Sequence, residues 1–167
     1  FLSSKDVRQA MTVLCAVASL RSTTVHTSVV EDDSFSWLAL SEALPMLETR
    51  NFLLAAVAVM IARLLEVILG RGINQVIIEL PLPSSQWAKA CEEYFSVTPQ
   101  FNVPTLRFGV PSTFLDRPCP TADPEAHAAA MRQCALDTMN LSVNLSARIG
   151  AYLAQQSGEF PTLEIAA

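Results

Sequence analysis

The sequence predicts an α+β domain, with a mixed or antiparallel sheet and packed helices, for three reasons. Its 167 residues fit one ordinary domain and can bury a proper core. Hydrophobic residues make up 51% of the chain and charged residues only 16%, which excludes a disordered protein. The strand patterns come in consecutive pairs, which favours hairpins over a doubly wound parallel sheet. The predicted order of elements is α-β-β-α-β-α-β-β-α.

The first quarter of the chain predicts a helix followed by a β-hairpin. A serine cap and an early acid begin the helix, and apolar residues recur at helical spacing to about residue 20. Residues 23–30 are rich in β-branched side chains. Residues 35–40 alternate between the two faces of a strand after a short acidic turn. Two such strands joined by a turn form a hairpin.

Residues 51–69 are the most apolar segment and predict a helix that ends at a glycine. A transmembrane span has to be weighed, because about twenty apolar residues suffice to cross a bilayer. Arg63 and Glu66 argue against it, since each would cost roughly 2.5–3.5 kcal/mol near the bilayer centre. Three residues apart, they share a helix face that can reach solvent. The sequence therefore predicts a buried core helix. The residues predicted to face inward are Leu53, Val57, Ile61, Leu64 and Ile68.

The remaining sequence predicts a strand, a short helix, two short strands and a long helix. The strand covers residues 75–80 and is followed by a short helix over 84–95. Two short strands are predicted, one on either side of Pro104. A proline-rich connector at 115–124 leads into a long helix that reaches about residue 154.

The charge pattern argues against nucleic-acid binding by this chain. Acids outnumber bases 16 to 11, which gives a net charge of -5. The eleven bases are scattered singly from Lys5 to Arg148. Nucleic-acid binding takes most of its affinity from clustered lysines and arginines on phosphates. These residues supply no such cluster.

No motif for catalysis, a metal or a cofactor occurs in the sequence. The glycines are isolated, so no phosphate-binding loop is predicted. His26 and His127 stand apart from any ligand pattern. The four cysteines are also far apart, which predicts ordinary reduced thiols and a cytoplasmic protein. We therefore expect no enzyme, with no catalytic residue, no metal and no cofactor.

Two residues are the candidates for a ligand-binding site. Trp37 is a large aromatic within the predicted hairpin, and Glu79 is the one acid inside an apolar strand. A carboxylate that becomes buried needs a partner, so Glu79 is expected to hold a cationic or hydroxylated group. The alternatives are that Trp37 is a core residue and that Glu79 faces solvent at a sheet edge.

Several segments together resemble one family of regulators. They are an aromatic pair at 94–95, a Leu-Arg-Phe run at 106–108, the connector Leu-Asp-Arg-Pro-Cys-Pro-Thr-Ala-Asp-Pro at 115–124, and the opening at 2–11. Their order resembles the N-terminal "arabinose-binding domain" subfamily of AraC/XylS-type bacterial transcription regulators. The segment at 101–106 looks shorter than is usual in that family. The family responds to varied small molecules, so the resemblance does not imply a sugar.

The resemblance implies an effector-sensing and oligomerisation domain of a transcription regulator. Its divisions would be an effector-sensing domain over 1–140, a linker helix over 141–160, and the start of a truncated helix-turn-helix DNA-binding domain at 161–167. The partners implied are a small-molecule effector and a second copy in a homodimer. DNA would be bound only through the missing C-terminal domain, and no membrane is involved. The alternative is a dimerisation or interaction domain that binds no ligand.

Overall fold

The computed structural model describes residues 1–21, 25–43 and 46–137. The chain divides into two compact units, Phe1–His127 and Ala128–Ala167. The sheet and every site described below belong to the first unit. In the second unit, the described residues 128–137 are helical. The predicted linker helix at 141–160 and the predicted domain start at 161–167 lie outside the described residues.

The observed elements follow the predicted order. The helices and strands are α1 Val7–Arg21, β1 Val25–Glu31, β2 Phe35–Glu42, α2 Arg50–Leu69, β3 Ile77–Leu80, α3 Ser84–Tyr94, β4 Gln100–Phe101 and β5 Leu106–Pro111. Residues 124–137 form a further helix, α4. Its first turn is capped by Asp123, whose Oδ1 accepts a hydrogen bond of 2.9 Å from the backbone N–H of Ala126.

The five strands form one mixed sheet in the order β1-β2-β5-β3-β4. Strands β1 and β2 make the predicted antiparallel hairpin, and β5 runs antiparallel to both β2 and β3. Strands β3 and β4 are parallel, as strands joined by a crossover helix are. The α+β class is confirmed. The expectation that β4 and β5 would pair as a second hairpin is wrong, because β3 lies between them.

One face of the sheet carries the hydrophobic core. Leu38 of β2 and Ile78 of β3 both pair with Phe108 of β5, and all three side chains are buried. They belong to one cluster with buried residues of α1 and α2. Since strand residues alternate between faces, the neighbours of these three residues point to the opposite side of the sheet.

Helix α2 meets the core through a stripe that is rotated from the predicted one. Its buried residues are Leu54, Ala58, Ile61, Ala62, Leu65 and Ile68. Of the predicted set, Ile61 and Ile68 are buried, whereas Leu53 is exposed. The helix is apolar almost all round, so its sequence contains too little polar pattern to fix the rotation.

Arg63 and Glu66, which the sequence placed on one face of α2, form an ion pair. Arg63 Nη1 donates to Glu66 Oε2 over 2.6 Å, and the Arg63 side chain is 52% exposed. By length and composition alone, the helical segment Leu47–Leu69 could cross a membrane. Of the most apolar 18-residue stretch of this segment, 33% is buried within the protein. The buried residues of this helix belong to the core cluster of the first unit.

Candidate functional site

The side chain of Trp37 lies across a glycine of the neighbouring strand. Trp37 of β2 pairs with Gly109 of β5, on the sheet face opposite Leu38. A Cβ atom built on Gly109 would be only 2.7 Å from Trp37 Cζ3. A glycine at this position is thus what allows the indole to lie against the sheet.

The turn between β1 and β2 fixes the other end of the indole. Trp37 Nε1 donates to Asp32 Oδ2 over 2.7 Å. The other carboxylate oxygen of Asp32 accepts hydrogen bonds from the backbone N–H groups of Ser34 and Phe35, at 2.8 and 2.7 Å. These hydrogen bonds hold the pKa of Asp32 below its usual range, and the one from Trp37 has the largest effect. The turn thereby orients the indole through a carboxylate that stays ionised.

Arg107 connects the two residues that were predicted from the sequence. Its guanidinium carbon lies 4.6 Å from the centroid of the Trp37 ring, a cation–π contact. Its Nε donates to Glu79 Oε2 over 2.6 Å. The Arg107 side chain is 41% exposed and that of Glu79 is 12% exposed. The pair therefore lies at the surface of the sheet, with the carboxylate as its more buried member.

The register of the sheet explains this arrangement. Glu79, Arg107 and Ala39 form one cross-strand row, and Trp37 lies in the adjacent row. Trp37 and Glu79 hence share a sheet face, with Arg107 between them. That face is not the one α2 covers, so an effector touching Trp37 would bind on the side away from α2. Sequence reasoning missed Arg107, although a lone base between buried Leu106 and Phe108 is a signal for such a position.

A second feature is a cavity of about 310 Å³ between α2 and α3. Its lining includes Phe52 and Ala56 of α2, and Trp87, Cys91 and Tyr94 of α3. Burial raises the pKa of the Cys91 thiol, which keeps it uncharged. Trp87, the second tryptophan of the chain, is among the lining residues.

The indole N–H of Trp87 is buried and has no hydrogen-bond acceptor among the described residues. An unpaired donor of this kind costs about 1–3 kcal/mol relative to a paired one. Within the described ranges, no group of three or more His, Cys, Asp or Glu side chains could hold a metal ion.

Comparison with known proteins gives the family. The family described as the arabinose-binding domain of AraC transcription regulator, N-terminal, matches residues 1–119. The chain belongs to this family. The match covers the whole sheet, both sites described above and the beginning of the connector.

Two proteins from Pseudomonas aeruginosa are similar to this chain. The ornithine utilization regulator is 24% identical over 168 residues, which covers 99% of this chain and 50% of that protein. The crystal structure of the transcriptional regulator CdpR is similar in fold, with a TM-score of 0.54 and 19% identity. That similarity covers 73% of this chain and 40% of the CdpR chain. Both relatives are named as regulators, not as enzymes.

In this member of the arabinose-binding domain family, the connector pairs with the start of the chain. The backbone N–H of Arg8 donates to the carbonyl of Leu115 over 2.9 Å, and that of Cys119 donates to the carbonyl of Lys5 over 3.0 Å. Farther along, the N–H of Asp123 donates to the carbonyl of Ser3 over 3.2 Å. The first N–H groups of a helix have no partner within it, so the connector satisfies part of the α1 terminus.

Proposed function

We propose that this chain is the effector-sensing domain of a transcription regulator. Membership of the arabinose-binding domain family over residues 1–119 is the observation that carries the proposal. The chain spans about half the length of the ornithine utilization regulator that it matches. On this proposal, binding of a small molecule here shifts an attached DNA-binding domain between two arrangements. Residues 1–140 are the sensing part, residues 141–160 a linker helix, and residues 161–167 the start of the DNA-binding domain.

The proposed effector contacts are Trp37 and Glu79, with Arg107 between them. A carboxylate, a guanidinium and an indole on one sheet face offer partners for a molecule that carries both charge and hydrocarbon. An ammonium or hydroxyl group of the effector would compete with Arg107 for Glu79. The relative's name concerns ornithine, and an ammonium group of that kind suits a part-buried carboxylate.

Effector binding is tested by a thermal-shift screen of small metabolites that includes L-ornithine. At about a hundredfold excess over Kd, a ligand raises stability by about 2.7 kcal/mol. For the hit, we expect Glu79→Gln to weaken binding by about tenfold or more, because a hydrogen bond to a charged group contributes about 1.5–3 kcal/mol. Trp37→Phe should weaken it by about threefold or more, because the smaller ring loses its hydrogen bond to Asp32 and part of its contact surface.

The matched controls for these variants are Glu93→Gln, an exposed acid of α3, and Trp87→Phe at the other site. Both should bind the hit as the parent does. Affinity is measured by calorimetry and kept separate from the denaturation midpoint, since Glu79→Gln also removes the ion pair with Arg107. If Trp37→Phe and Glu79→Gln both bind as tightly as the parent, these residues do not contact the effector.

A ligand-free dimerisation domain is the second candidate. The observation in its favour is an exposed apolar stripe along α2 that includes Phe52, Met60 and Val67. Sedimentation equilibrium separates the two candidates. A dimer together with no hit in the metabolite screen would favour the second one. A homodimer in the cytoplasm is also compatible with the sensing function, and we propose that state for the regulator.

We further expect this 167-residue chain to bind no DNA by itself. The net charge is -5 and the eleven bases are scattered, so they supply no cluster for phosphates. A gel-shift assay at low salt, where phosphate contacts are strongest, is the measurement. Micromolar binding to a promoter fragment would contradict the assignment of DNA binding to a separate domain.

A further inference from the structure

We infer that Trp37 and Glu79 form a cation site that the chain's own Arg107 occupies, and that the effector enters it by displacing Arg107. The ligand class is an ammonium or guanidinium group on an aliphatic stem. This step rests on the sensing function proposed above. It assigns to Arg107 the role of a built-in competitor of the effector.

Arg107 has the two partners by which proteins recognise organic cations. An aromatic face attracts a cation through the quadrupole of its ring, and a carboxylate accepts charge-assisted hydrogen bonds. The guanidinium carbon of Arg107 lies 4.6 Å from the centroid of the Trp37 ring, and its Nε donates to Glu79 Oε2 over 2.6 Å. The guanidinium thus takes the position that a ligand cation would take.

This combination distinguishes Arg107 from ordinary surface arginines. Arg63 pairs with Glu66 over the same distance of 2.6 Å, but no aromatic ring of the described residues lies against its guanidinium. Arg117 lies 3.6 Å from the centroid of the Phe114 ring, with no carboxylate partner in the described part of the chain. Neither of them has both halves of a cation site.

The carboxylate and the indole are held in place, whereas Arg107 can leave. The indole is fixed by its hydrogen bond to the turn between β1 and β2, and the Glu79 side chain is only 12% exposed. The Arg107 side chain is 41% exposed, and of its guanidinium nitrogens Nε alone donates to a described residue. Its row of the sheet continues through Ala39 and Ser28, whose small side chains leave room for it.

Competition determines the sign of the effect of Arg107 on binding. An ion pair at the surface and a single cation–π contact are each weak, so a ligand can replace them. Without Arg107, the part-buried carboxylate of Glu79 lacks a partner and binds an added cation more readily. Loss of Arg107 should therefore tighten the binding of a cation. It would weaken the binding of an anion that Arg107 itself recognised.

The experiment titrates the whole chain with two cations, butylguanidinium and butylammonium, with the neutral isostere butylurea and with the anion pentanoate. The chain has two tryptophans, so a proton–nitrogen correlation spectrum contains two indole N–H signals, which Trp37→Phe assigns. We expect the cations to shift the Trp37 signal in a saturable way and to leave the Trp87 signal in place. The Arg107 Nε–H signal should move upfield with the same Kd, because its hydrogen bond to Glu79 breaks. Butylurea and pentanoate should move neither signal.

Two variants and a control decide the role of Arg107. Arg107→Met keeps an unbranched stem without the charge, and it should bind the cations about tenfold more tightly than the parent. Glu79→Gln should bind them about tenfold or more weakly. Arg63→Met is the matched control, because it breaks an ion pair of the same length that has no indole, and it should bind as the parent does.

Three results would overturn the inference. One is equal or weaker cation binding in Arg107→Met, which is decisive even if Glu79→Gln fails to fold. Another is binding of butylurea as tight as that of the cations. The third is a shift of the Trp37 signal by pentanoate and not by the cations, since Arg107 would then recognise an anion.

The same titration separates this inference from the sensing function. A metabolite from the thermal-shift screen that shifts the Trp37 signal, while neither cation does, would refute the ligand class and support the sensing function. If neither the metabolites nor the cations shift that signal, both the cation site and the proposed effector contacts are refuted.

Discussion

Replacing Phe108 by alanine is expected to lower the free energy of unfolding by about 3–5 kcal/mol, the range for phenylalanine truncation in a core. The side chain of Phe108 is fully buried, at 0% exposure. It lies on the central strand β5, between Leu38 of β2 and Ile78 of β3. Truncation removes apolar surface and leaves a cavity that strands held on both sides cannot close. Urea denaturation followed by far-ultraviolet circular dichroism measures the change.

The control is the same substitution at Phe52, which is 69% exposed. Because little of that ring is buried, Phe52→Ala should cost less than about 1 kcal/mol. Equal losses from the two variants would contradict the assignment of the core to the Leu38 face of the sheet. A stable Phe108→Ala variant would contradict it equally.

Replacing Gly109 by alanine is expected to displace the Trp37 indole and to cost about 1–3 kcal/mol, the range for overpacking. The new Cβ would lie 2.7 Å from Trp37 Cζ3 and 2.9 Å from Cη2, so the ring has to move away from the strand. Movement breaks the hydrogen bond to Asp32 and the contact with Arg107. The Trp37 indole N–H signal should shift while the Trp87 signal stays in place.

A double-mutant cycle gives this prediction its sharpest form. In a Trp37→Ala background there is no ring to displace, so Gly109→Ala should be neutral or slightly stabilising, since glycine weakens a strand interior. The effect of one substitution thus changes sign with the presence of the indole. If Gly109→Ala costs the same in both backgrounds, the close approach of Trp37 is not its cause.

The order of elements could be predicted because each one has a local signal. Residues 23–30 and 35–40 alternate, and 51–69 lack breakers. The pairing of β4 with β3 could not be predicted, because β4 has only two residues and its partner is set by the crossover through α3. The face of α2 that is buried could not be predicted either. The helix is apolar on nearly every side, so only packing against the rest of the protein decides which face is buried.

The sequence could point to two residues of the cluster on the outer sheet face, but not to their neighbours. A tryptophan in an alternating strand and an acid in an apolar strand are visible as exceptions to their surroundings, so Trp37 and Glu79 could be named as candidates. Arg107 and Gly109 acquire their roles only from the register between strands distant in sequence. The cavity between α2 and α3 could not be predicted from the sequence, because it depends on how the two helices pack against each other.

The pairing of residues 3–8 with residues 115–123 has a consequence for any truncation of this domain. Carbonyl groups of Ser3, Lys5 and Leu115 are joined to partners more than a hundred positions away along the chain. A protein that lacked residues 1–8 would lose these hydrogen bonds. The connector at 115–124 would then lack its backbone partners. Residues 3–8 therefore hold the connector through backbone hydrogen bonds, and a truncation that removes them would release it.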